Sequence, residues 1–208
     1  MRFVHTAALL AGVLLTGAAS ADIIQFTSDN ALSTEALGSY DGSLDYDPSQ
    51  ARLTLTITNT SPAANGGYLT GVAFRIDSTD ASAMAVLSSS TVPFQNVANA
   101  SAAPFGTYDA GAALGGNWLG GGSPQAGIAV GETGTLAFSI TASDSAALTA
   151  IDFLEVSSVA GPDFVVRFRG FADGGSDKVP GRPDEVVPSP GVLGVLGGLG
   201  ILARRRRR

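Results

Sequence analysis

The sequence predicts an all-β fold, an antiparallel β-sandwich of jelly-roll or immunoglobulin-like type. Between Asp22 and about Phe171 the apolar residues recur at every second position instead of every 3.6. The short runs are separated by Asn65-Gly66-Gly67, Gly115-Gly116-Asn117 and Gly120-Gly121-Gly122, which punctuate loops. The outward positions are rich in Thr, whose branched side chain favours pleated backbone.

The elements follow in order. Tyr40, Gly42, Leu44 and Tyr46 alternate with Asp41, Ser43, Asp45 and Asp47. Leu53, Leu55 and Ile57 alternate with Thr54, Thr56 and Thr58, so each run has one buried and one solvated face. Asp47-Pro48-Ser49-Gln50 between them has turn chemistry and predicts a hairpin. Further strands are expected over Tyr68–Ile76, Thr135–Thr141, Asp152–Ser157 and Phe164–Phe171, and a short helical piece capped by Asp144 over Ser143–Leu148. Phe94–Gln125 reads as loop-heavy. Residues 172–186 are rich in Gly, Pro and charge and read as a linker.

Both ends carry a different texture. Behind Arg2, the apolar run Ala7–Leu15 leads to Ala19-Ser20-Ala21, the small-x-small pattern at which signal peptidase cuts. Residues 1–21 are therefore expected to be a signal helix, and 22–171 the exported domain. At the other end, Val187-Pro188-Ser189-Pro190 precedes the apolar run Val192–Ala203 and then Arg204, Arg205, Arg206, Arg207 and Arg208. As a helix, Val192–Ala203 covers only about 18 Å at about 1.5 Å per residue. The hydrocarbon core of a bilayer is about 30 Å, so the span is short and marginal.

Charge and composition exclude several functions. There is no Cys, and the one His is His5, inside the expected signal. A chain cut after Ala21 thus holds no thiolate nucleophile, no Ser-His-Asp triad and no His-ligated metal. Between Asp22 and Val187 lie 6 basic and 18 acidic residues, a charge of −12. Such a body does not suit nucleic acid, which needs a basic face. The five C-terminal arginines follow an apolar run and read as a topology signal instead.

Residues 187–208, in the order motif, short apolar helix and Arg cluster, resemble the PEP-CTERM sorting signal read by exosortases in Gram-negative bacteria. Val187, Pro188, Ser189 and Pro190 match the family's Val-Pro-Glu-Pro-like motif, with Ser189 where Glu normally stands. Arg204–Arg208 match its stop signal. Leu53–Ser61, Gly67–Gly71, Phe164–Gly170 and Gly175–Gly181 look like the ectodomains attached to such signals. The resemblance implies processing by signal peptidase and an exosortase-type enzyme through a transient inner-membrane intermediate. It implies placement at the cell surface or in the extracellular matrix, with no single biochemical activity. An ordinary retained C-terminal anchor is the alternative reading of the same tail.

Candidate chemistry is sparse, and no enzyme or cofactor is expected. Asp41, Asp45 and Asp47, and separately Asp173 and Asp177, are oxygen clusters of a kind that can hold calcium; a solvated face for the first and a flexible linker for the second are the stronger readings. Lys178 and Ser189 do not make a Ser-Lys dyad, since both fall in the expected linker and tail. Trp118, the one Trp, sits among glycines. It is either a loop aromatic stacking on extracellular polysaccharide or a plug over one end of the fold. The functional expectation is a non-enzymatic structural or interaction protein of the surface, with a carbohydrate- or calcium-dependent binding module as the alternative.

Overall fold

A computed structural model describes residues 21–155 and 161–184. Among the described residues there are ten strands: β1 (Asp22–Ser28), β2 (Tyr40–Asp47), β3 (Arg52–Asn59), β4 (Gly66–Phe74), β5 (Met84–Ser90), β6 (Phe94–Ser101), β7 (Thr107–Leu114), β8 (Thr133–Thr141), β9 (Phe164–Phe171) and β10 (Ser176–Pro183). The all-β expectation holds, and every ladder is antiparallel. The strands form one sheet in the order β5-β8-β3-β2-β1-β10-β9-β4-β7-β6. Its two end strands come together where Leu87 N donates to Asn96 Oδ1 at 2.8 Å, so the sheet is nearly closed around its core.

The hairpin β2–β3 is the best-specified element. Its register runs from Tyr40 opposite Asn59 to Asp47 opposite Arg52. Asp47 accepts hydrogen bonds from Ser49 N and Gln50 N, fixing the expected turn. Leu44, Tyr46, Leu53, Leu55 and Ile57 are fully buried. Gly42 is needed here, because a Cβ would lie 2.5 Å from Thr56 O and 2.6 Å from the Phe26 ring. Phe26, Tyr40, Phe164 and Phe168 continue the same core across β1, β2 and β9, with ring centroids 4.9–6.3 Å apart.

Several local expectations are corrected. The expected linker contains β10, which pairs with β9 on one side and β1 on the other. Its composition misled because its inward positions are Asp177 and Val179, so only one apolar side chain marks the core face. The expected strand at Asp152–Ser157 begins inside a 3-10 turn, Ala150–Phe153; residues 156 and 157 lie outside the described residues. A capping box between Thr149 and Asp152 commits that segment to a turn. Ser143–Leu148 forms turns, not a helix, because Asp144 accepts from Ser78 Oγ, Thr79 N and Thr79 Oγ1 and so bonds another loop. Phe94–Gln125 holds two strands, β6 and β7, whose Ala-rich pattern carries a weak apolar signal.

Candidate functional site

β9 alternates cleanly. Phe164, Val166 and Phe168 enter the main core, so Val165, Arg167 and Arg169 face outward. β10 does the same, with Asp177 and Val179 buried and Lys178 outward. Antiparallel register places Lys178 directly opposite Arg167, and Ser176 opposite Arg169. Opposed residues have Cβ atoms about 4.5–5.5 Å apart, so Arg167 and Lys178 are adjacent cations. Among the described residues none of the three is in a salt bridge; the pair there is Arg75 with Asp163.

Two of the cations are fixed by backbone carbonyls. Arg169 Nη2 donates to Gly121 O at 2.6 Å and Gly122 O at 3.0 Å, tying down the loop after β7. Lys178 Nζ donates to Ala103 O at 2.6 Å, reaching the loop between β6 and β7. Arg167 stands between them, half-buried, and its Nε has no hydrogen-bond partner although it is shielded from solvent. Burial, and then the neighbouring Arg169, hold the Arg167 guanidinium below its ordinary basicity. Burial, and then Arg167, lower Lys178, against a smaller opposing pull from Asp177.

Trp118 closes one side of this face. Gly71 lies opposite Arg167 in register, and a Cβ on Gly71 would meet the Trp118 ring at 3.3 Å. The indole is only 4% exposed and packs in a second, outer cluster with Ala73, Val97, Tyr108, Ala113 and Val165. Trp118 is therefore a plug; the ring is not presented for stacking on a sugar. Its buried Nε1 has no partner.

The acidic candidates do not converge. Asp41 accepts from Thr27 Oγ1 at 2.6 Å, and Asp47 is used by its own turn. Asp45 stands on the same strand with one buried, unpartnered oxygen. Asp173 caps Gly175 N, whereas Asp177 is a buried anchor. Its carboxylate accepts from Ser33 Oγ, Thr34 Oγ1, Glu35 N, Leu37 N and Gly38 N, which pins the β1–β2 connection. Among the described residues no group of three His, Cys, Asp or Glu side chains is placed to hold a metal ion.

The terminal signals lie elsewhere. Ala21 is the first described residue; Ala19, the sorting motif Val187–Pro190, Ser189 with it, and Arg204–Arg208 all lie outside the described residues. Among the described residues no helix is long and apolar enough to cross a membrane. Sequence reasoning missed the cationic face, although Arg167-Phe168-Arg169 on an acidic chain was its signal. Comparison with family models, curated proteins and solved structures finds no match to this chain.

Proposed function

We propose that the chain is a non-enzymatic exported protein, delivered by signal-peptide export and C-terminal exosortase-type sorting to a structural or interaction role at the cell surface or in the extracellular matrix. One observation carries the reading. A Pro-Ser-Pro motif, a short apolar run and five arginines stand in that order at one end, with a complete export signature at the other. The acidic β body is the ectodomain of this reading, and its nearly closed sheet works as a flattened β-sandwich. Five arginines resist translocation and hold the tail on the cytoplasmic side, while a 12-residue apolar run is too short for a durable anchor. A residue before proline favours extended backbone, the form in which a protease reads its substrate, so a Pro-Ser-Pro sequence suits a cleavage site.

Two variants test this in an exosortase-carrying host. Changing Pro188 and Pro190 to Ala together is expected to trap an uncut, membrane-bound precursor. Replacing Arg204–Arg208 with Gln is expected to let the weak apolar run slip through the membrane unprocessed. Fractionation and immunoblotting read both outcomes. Two variants that reach the surface with the wild-type mature size contradict the reading.

A further inference from the structure

We infer that the outer face of β9 and β10 is a binding site for a carboxylate-bearing ligand, centred on the Arg167 guanidinium and flanked by Arg169 and Lys178. The inference stands on this face alone and holds whether or not the tail is processed.

Loop tethering accounts for Arg169 and Lys178 but not for Arg167. Like charges directly opposite on neighbouring strands destabilise a sheet. The chain has 18 acidic residues, yet among the described residues none of these three cations pairs with one. The Arg167 guanidinium is half-buried with no acidic partner among the described residues, and an anion on this face offsets part of that desolvation cost. Arg169 and Lys178 are already tethered to the Gly121, Gly122 and Ala103 carbonyls, so they form fixed positive walls. Arg167 has no such tether among the described residues, and its two Nη groups, unlike the shielded Nε, remain open to a ligand. Two N–H groups along one edge of a guanidinium match the two oxygens of a carboxylate, a geometry that an ammonium does not reproduce.

The rest of the molecule selects the ligand further. A body of charge −12 repels densely charged polyanions, so nucleic acid and polyphosphate are disfavoured. A carboxylate on a sparsely charged or small molecule meets the local cations without that opposition. An acidic sugar supplies this group either as a free monomer or along a polymer.

Calorimetric titration of the full-length chain in non-ionic detergent tests the site, with three probes: galacturonate, sparsely de-esterified polygalacturonate and fully methyl-esterified polygalacturonate. The expected result is binding of one or both free acids and none of the neutral ester. Response to the monomer identifies a small-acid site, and response to the polymer alone identifies a polymeric ligand. Arg167→Met keeps the apolar stem and is expected to weaken binding about tenfold or more, the loss of one charge-assisted bidentate contact. Lys178→Gln, at a more exposed position, is the second variant should Arg167→Met fail to fold, and a smaller loss is expected. Absence of binding, equal binding of the ester, or unchanged affinity in a folded variant overturns the assignment. So does low-salt self-association abolished by Arg167→Met without acid binding, which would give the face to a second copy of the chain.

Discussion

Asp177→Ala is expected to lower the unfolding free energy of the β body by about 3–5 kcal/mol, read as a reduced urea midpoint. The substitution leaves the N–H groups of Glu35, Leu37 and Gly38 without their acceptor, at about 1–3 kcal/mol apiece less what water recovers. Thr34 Oγ1 also receives Lys178 N, so the loss spreads into the β10 backbone. The pH dependence follows from the same contacts. Burial pushes the Asp177 carboxyl up, but hydrogen bonds from Gly38, Ser33, Leu37 and Thr34 outweigh it and hold the group below the ordinary carboxylate range. A folded pKa below the unfolded one gives stability that is fully present above the unfolded value. That stability is lost as pH falls through the folded value. Wild-type protein should therefore lose stability on acidification more steeply than Asp177→Asn, which keeps the shape and removes the titrating group.

Arg75→Met is expected to cost a similar amount, about 3–5 kcal/mol, because it strips the cation from a buried pair. Arg75 and Asp163 lie 2.8 Å apart, both side chains about nine-tenths buried. The guanidinium also donates to Phe105 O, Thr107 O and Pro162 O, and sits 4.5 Å from the centre of the Tyr108 ring. One side chain thus joins β4 to the loop before β7 and to the segment entering β9. Combining Arg75→Met with Asp163→Leu should recover part of the loss, since the double variant buries neither charge of the pair. A double variant as unstable as the sum of the two singles would show that the pair is not coupled.

These two anchors mark where the sequence stopped being legible. Strands with a regular apolar face, β2, β3, β8 and β9, were readable because Leu, Ile, Phe and Tyr repeat at period two. β10 was not, because an aspartate occupies an inward position and only the distant Ser33–Gly38 segment makes that tolerable. β6 and β7 were hidden by alanines, which mark neither face strongly. The near-closing of the sheet rests on β5 meeting β6 through Leu87 and Asn96, and such a contact between the two ends of the strand order has no local signature. The cationic face was half legible. Arg167 and Arg169 show the alternation, but Lys178 joins them only through the register of a strand that read as linker.

In the proposed sorting route this acidic β body reaches the surface by a tail that is then removed. Intact mass spectrometry of the surface-exposed protein from an exosortase-carrying host tests it most directly. One species is expected, beginning at Asp22 and ending near Pro188-Ser189-Pro190, without Arg204–Arg208. A surface species whose mass retains the apolar run and all five arginines would contradict it.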